Sequence, residues 1–220
     1  MIVEFVTEGG ASSFHARELP ENRVPHLWWF RPKRSAVVLG STQDESLLDR
    51  EACERLGLDV AKRRSGGGVV LVGPDLTVWV DVLVPRDHSL WDDDIGRATW
   101  WLGDTWAEGL SELGLGALDV HRGGLESSDL SRIVCFAGRG PGEVFRDATK
   151  VVGISQRRTR DWARFQCAVS VRWDAETLAE VLAPSSVDVE ELRGLASTLE
   201  LDHRDVEEVL TRRLTNRLTS

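Results

Sequence analysis

The chain has 220 residues, 41% hydrophobic and 29% charged, which is the composition of an ordinary globular protein and excludes disordered and collagen-like classes. A net charge of -9 and a pI near 5.1 argue against a nucleic-acid partner, because phosphate binding draws on an excess of Lys and Arg. No apolar run reaches the roughly eighteen residues of a membrane span, and the start of the chain lacks a secretory pattern, so a cytoplasmic protein with no membrane association is expected.

In chain order, Val37, Val38 and Leu39 form a short apolar strand ended by Gly40 and Ser41. Residues 45–56 carry Leu47, Leu48, Ala52, Cys53 and Leu56 at helical spacing, with Cys53 as a small buried hydrophobe. A strand at 60–62 leads into a run of two arginines, a serine and three glycines at 63–68. Apolar segments 69–72 and 76–84 follow, separated by Gly73, Pro74 and Asp75, which predicts a hairpin. A helix is expected over 94–113, with Ile95, Trp100, Trp101, Trp106 and Leu110 on its apolar face and Asp92 to Asp94 as its cap. Residues 122–131 read as a loop.

The second half repeats the pattern, with strands at 133–136, 143–146, 150–155 and 164–173 and a glycine-rich loop at 137–142. Asp174 is a good N-cap for a helix at 175–182 that Pro184 stops, and helices follow at 187–199 and 205–218. The alternation predicts a single α/β (α+β) domain over 1–220, with a mixed, largely antiparallel sheet flanked by helices.

Two motifs carry chemistry. Arg63, Arg64, Ser65, Gly66, Gly67 and Gly68 lie between strand-like segments, where the missing Cβ atoms let backbone N–H groups approach a carboxylate, carbonyl or phosphate. The run is neither a Walker loop, since no Gly-Lys-Ser/Thr follows, nor a dinucleotide fingerprint, since it opens no helix. A glycine-rich bulge would read the same way. Lys150 sits on an apolar strand fifteen positions after Cys135. It either snorkels to water or stands beside the thiol, where a close cation would stabilise a thiolate nucleophile. The three cysteines and five histidines have no metal-ligand spacing, so no metal site is expected. Of the basic clusters, the one at 157–164 is a candidate docking patch for an acidic partner.

The run 63–70, together with Lys150, Val151, Val152, Gly153, Ile154, Ser155, Gln156, Arg157 and Arg158 and the strand 165–171, resembles the lipoate-protein ligase and octanoyltransferase family. That family shares its catalytic fold with biotin ligases. The resemblance implies that Arg63, Ser65, Gly66, Gly67, Gly68, Val69, Val70 and Leu71 line an acyl or acyl-adenylate pocket together with Gly153, and that Lys150 contacts the acyl carbonyl. Cys135 resembles the nucleophile of the cysteine-dependent octanoyltransferases and lipoyl amidotransferases, which need no cofactor. The expected reaction moves an octanoyl or lipoyl group through a cysteine thioester to a lysine of a lipoyl-carrying domain. By the same resemblance, expected partners are 2-oxoacid dehydrogenase E2 subunits, the glycine-cleavage carrier protein and acyl carrier protein.

An ATP-dependent lipoate-protein ligase, using ATP and Mg2+ to form lipoyl-AMP, is the alternative, and a non-catalytic acyl- or carrier-binding paralogue is the third. The chain departs from many ligases in having Val72, Gly73 and Leu76 where they carry His, Asp and Asn, and Gln166 and Cys167 where they carry paired histidines. These losses weigh against adenylation more than against acyl binding. The accessory C-terminal domain of two-domain ligases is not expected.

Overall fold

In a computed structural model that describes residues 1–183 and 187–220, ten strands and seven helices follow one another as β1 (Ile2–Val6), α1 (Ala11–Ala16), β2 (His26–Phe30), β3 (Ala36–Leu39), α2 (Arg50–Arg55), β4 (Asp59–Lys62), β5 (Val70–Val72), β6 (Thr77–Pro85), α3 (Trp100–Glu112), β7 (Asp119–Val120), α4 (Asp129–Ile133), β8 (Val144–Arg146), β9 (Thr149–Arg158), β10 (Trp162–Ser170), α5 (Ala175–Val181), α6 (Val189–Arg193) and α7 (His203–Thr219). A seven-stranded sheet has the order β1-β2-β6-β10-β9-β8-β7, and a three-stranded sheet the order β4-β3-β5. Only the β1–β2 and β3–β4 pairs are parallel, so the architecture is the expected mixed, mostly antiparallel one. No described helix is long and apolar enough to cross a membrane.

The period-two geometry of a strand explains how the layers stack. Along β6, Val78, Val80, Val82 and Val84 face one way and pack with Leu102, Trp106 and Leu110 of α3 and Leu210 and Leu214 of α7. Trp79 and Leu83 face the other way, toward α1 and the small sheet. Both faces being covered, the strand reads as a nearly unbroken apolar run. The small sheet is likewise two-sided: Val38, Val70 and Val72 lie on or beside the shared layer, while Val37, Leu39 and Leu71 pack with Leu178, Val181 and Leu192 of α5 and α6. The space between the two sheets is where the candidate site lies.

Several sequence expectations change. The segments on either side of Gly73 do not form a hairpin: β5 pairs with β3, whereas β6 pairs with β2 and β10 in the other sheet. A tight turn, in which Leu76 N and Thr77 N both donate to Gly73 O, redirects the chain between sheets. The helix expected over 45–56 is two pieces, a 3-10 turn at Glu45–Leu47 and α2, because Asp44 and Asp49 each accept a main-chain N–H and start a separate element. Ile95 is 63% exposed rather than on a helix face, since Asp94 caps Arg97 N and the helix begins after it. Residues 129–133 are helical under a Ser128 capping box, and the expected helix 187–199 is reduced to the short α6. Pro184, expected to stop the helix at 175–182, lies outside the described residues.

Candidate functional site

The strand expected at 133–136 is the end of α4 followed by a 3-10 turn, Cys135–Ala137. Its strand-like pattern satisfies a single parallel bridge to Val69, in which Val69 N donates to Ile133 O and Cys135 N to Val69 O at 2.7 and 2.9 Å. This bridge seats Cys135 against the glycine loop that joins β4 to β5. A Cβ on Gly68 would lie 2.5 Å from the Val134 carbonyl carbon, and one on Gly40 would lie 1.8 Å from Gly67 O, so both approaches require glycine. Gly67 has a φ of +100°. Gln43 ties the assembly together, accepting from Gly40 N at 2.9 Å and donating to Arg132 O and Ile133 O at 2.8 and 3.0 Å.

Two buried cations hold Cys135, each at a different atom. Lys150, on β9, donates to the Cys135 carbonyl oxygen at 2.9 Å and pairs with Glu143 Oε2 at 2.8 Å. Glu143 also accepts from Gly140 N and Ile154 N, so the ammonium is neutralised and fixed as a main-chain anchor for the turn. Arg63 is the cation at the sulfur. Its guanidinium donates to Gly66 O and Gly68 O and reaches Cys135 Sγ at 3.8 Å. The thiol is free and partly exposed.

Two cavities meet at this cysteine. One, of about 440 Å³ including its mouth, is walled chiefly by Val70, Val72, Trp79, Phe136, Gly153 and Ala168. The other is a wide cleft of about 1540 Å³ including the open space at its mouth, bordered by Gly66, Gly67, Gly68, Lys150 and Gln156. Cys135, Ile154 and Ser155 border both. Of the residues expected to line an acyl pocket, Arg63, Val70 and Gly153 border the narrow cavity and the three glycines border the cleft. Val69 and Leu71 face the opposite side of the small sheet and belong to its helix-covered core. Ser65 acts through hydrogen bonds, at 3.0 Å to Ser155 Oγ and 3.0 Å to Gln166 Oε1.

Sequence reasoning missed a buried polar group beneath the narrow cavity. Arg164 Nε donates to Asp81 Oδ2 at 2.5 Å, and Trp79 Nε1 donates to Asp81 Oδ1 at 2.8 Å. Burial pushes the Asp81 carboxyl up, against the opposing pull of Arg164. Gln166 Nε2 donates to Asp81 Oδ2 and to His15 Nδ1 at 3.1 and 3.0 Å. Burial, with Arg164 and Arg63 adding to it, pushes His15 down to about 3, so the ring is neutral near pH 7. A signal was present: Asp81 interrupts an otherwise apolar strand, and a buried carboxylate demands a partner. Arg164, buried in this pair, is not part of a surface patch. Cys167 lies in the helix-facing core, where burial pushes its thiol up. Among the described residues no three His, Cys, Asp or Glu side chains converge as a metal site.

The chain matches the lipoyl protein ligase A/B catalytic domain over residues 13–215. It is 28% identical over 163 residues to octanoyltransferase LipM of Carboxydothermus hydrogenoformans, an alignment that takes in 74% of this chain and 58% of that protein. The chain thus spans about three fifths of the length of that curated relative. Among solved structures, the bipartite lipoate protein ligase of Thermoplasma acidophilum, studied with its E2 lipoyl domain, superposes with a TM-score of 0.73 at 18% identity, covering 99% of this chain and 83% of that one. Lipoate-protein ligase A bound with ATP gives 0.70 at 21% identity over 89% and 73%. These likenesses carry the fold, and the match along nearly the whole sequence carries more: the chain belongs to the lipoyl protein ligase A/B catalytic domain family.

Proposed function

We propose that this chain is an acyltransferase of protein lipoylation that carries an octanoyl or lipoyl group on Cys135 as a thioester and passes it to a lysine of a lipoyl-carrying domain. The observation that carries this reading is the position of Cys135 at the junction of a narrow apolar cavity and a wide cleft, with the Arg63 guanidinium 3.8 Å from its sulfur. A positive charge at that distance stabilises negative charge on sulfur, the nucleophilic form. The relationship to an octanoyltransferase supports the same chemistry.

In the first step the Cys135 sulfur attacks the carbonyl of an acyl thioester on acyl carrier protein. A carbon–sulfur bond forms, the donor thiolate leaves, and it takes up a proton. In the second step a lysine amine of the acceptor attacks the Cys135 thioester. An amide forms, the amine releases a proton, and the Cys135 thiolate is regenerated. Exchange between thioesters is nearly balanced and amide formation is downhill, so the sequence needs no external activation. Burying about six methylenes in the apolar cavity would contribute roughly 5 kcal/mol at ~0.8 kcal/mol each, enough to select chain length. Lys150 holds the Cys135 main chain, and the glycines leave room on the cleft side for the incoming thioester and amine.

The residues present do not fit the Mg2+ and ATP of the ligase alternative. Among the described residues the one carboxylate bordering the cleft is Glu143, already occupied by Lys150, Gly140 N and Ile154 N, whereas Mg2+ with a nucleotide is held through one or two carboxylates. Incubation with octanoyl-acyl carrier protein, followed by intact-mass measurement, tests the reading. An octanoyl adduct that is lost in Cys135→Ser supports it. Absence of an adduct, with lipoate-dependent ATP–pyrophosphate exchange, replaces it with the ligase, and acyl binding without either activity replaces it with a binding protein.

A further inference from the structure

Strand β9 outruns its neighbour on one side. Its pairing with β8 ends at Val152, whereas its pairing with β10 continues to Arg158, so residues 153–158 form an edge. The hairpin to β10, where Thr159 N donates to Trp162 O at 2.8 Å, sets the direction of that edge's polar groups. Antiparallel pairs alternate between hydrogen-bonded and non-bonded, so from Thr159 backwards the odd residues bond β10, and Ile154, Gln156 and Arg158 turn their N–H and C=O groups outward. Glu143 takes Ile154 N at 3.3 Å. Among the described residues nothing pairs with Ile154 O or with either main-chain group of Gln156.

This edge looks into the wide cleft, which Ile154, Ser155 and Gln156 border. Both polar ends of the Gln156 side chain are buried, so Gln156 meets the cleft through its main chain and the stem of its side chain. Ile95 and Leu125, 63% and 75% exposed, add apolar surface to the same cleft. Next along the strand, the Arg157 guanidinium stands near those of Arg64 and Arg164; burial, with these two charges adding to it, holds it below its usual proton affinity. An unpaired row of main-chain groups is a template for one more strand, and an arginine among like charges favours a carboxylate on it.

We propose that an extended, acid-bearing segment of the lipoyl-carrying acceptor adds to the open edge of β9 at Ile154 and Gln156, placing its lysine opposite Ser155. Side chains opposite one another share a face of a sheet. Ser155 and Gly153 lie on the face that walls the narrow cavity, which Cys135 also borders, so a lysine in that register points toward the proposed thioester. The inference deepens the proposed function and rests on its lysine acceptor.

Amide exchange of the full chain, followed by NMR without acyl donor, tests it with the unmodified lipoyl domain of an E2 subunit as the probe. The expected result is that a saturating lipoyl domain slows exchange at Gln156 by about tenfold or more and leaves Ser155 and Arg157, already bonded to β10, unchanged. Gln156→Pro removes the outward N–H and spares the β10 ladder, so it should weaken lipoyl-domain binding about tenfold, and Arg157→Glu should do the same. Unaltered exchange at Gln156, binding that either substitution leaves intact, or no binding at all overturns the proposal. So does protection of Gln156 that rises with protein concentration before the lipoyl domain is added, which gives the edge to a second copy of this chain. Should Gln156→Pro fail to fold, the wild-type exchange rates decide. A lipoyl domain that protects Gln156 on a protein that never acquires a Cys135 adduct would keep this docking and lose the thioester mechanism, and an adduct passed on without such protection would do the reverse.

Discussion

The Arg63 guanidinium stands 3.8 Å from the Cys135 sulfur, while it also fastens the glycine loop through Gly66 O and Gly68 O. Replacing it with leucine removes both the charge and the loop ties. The expected outcome is a fall of about tenfold or more in the rate of Cys135 alkylation by iodoacetamide at pH 7, with Arg63→Lys retaining part of the rate. Equal rates in wild type and Arg63→Leu would mean the guanidinium serves the loop alone.

Lys150 and Glu143 form a buried ion pair, and removing either charge leaves the other without its partner. Glu143→Gln is expected to destabilise the fold by about 3 kcal/mol, read as a lower urea midpoint at unchanged slope. The double replacement Lys150→Met with Glu143→Gln should lose less than the sum of the single changes, because no uncompensated charge remains.

His15 supplies a pH dependence with a definite sign. Its folded form resists protonation down to about 3, whereas the unfolded chain protonates near the ordinary 6.5. The unfolded state therefore binds more protons between these values. The neutral ring's contribution is complete above pH 6.5 and is lost as the pH falls toward 3, at up to about 1.4 kcal/mol per unit. Unfolding of wild type and His15→Phe at pH 7 and pH 5 should show the smaller acid loss in the variant.

Gly68 is pressed against the Val134 and Cys135 main chain, so Gly68→Ala forces the Cys135 turn away from the loop. Acyl transfer is expected to fall by about a hundredfold with far-ultraviolet circular dichroism unchanged. Gly124→Ala, outside the cleft lining and where a Cβ meets nothing within 4 Å, should leave the rate within about twofold and serves as the paired control.

How much of this could be read from the sequence depended on whether a feature was local. Most of the strand pattern, the Asp174 cap and the glycine run are written in neighbouring residues and appear in the fold, the strand expected at 133–136 excepted. The convergence of Lys150 on the residue fifteen positions earlier was anticipated, but the atom it contacts was not. The motif placed the ammonium near the thiol, whereas a carboxylate at Glu143 draws it to the carbonyl. Arg63 reaches the sulfur from 72 positions away because one parallel bridge between Val69 and Val134 lays two loops together, and no periodicity reports such a bridge. His15 was hidden for a different reason. Its helix of six residues is too short to show an amphipathic pattern, and its polar partner, Gln166, comes from β10. The false hairpin at Gly73 shows the same limit: a turn signal marks a change of direction without saying which sheet receives the next strand.

The Lys150 ammonium grips residue 135 by its backbone oxygen, whatever side chain Arg63 meets there. Whatever side chain stands there is presented on the same mount, so the atom at its tip is a replaceable fitting. Serine or selenocysteine installed at this position should inherit the orientation of the thiol without rebuilding its surroundings, which makes this locus a ready place to exchange one leaving group for another.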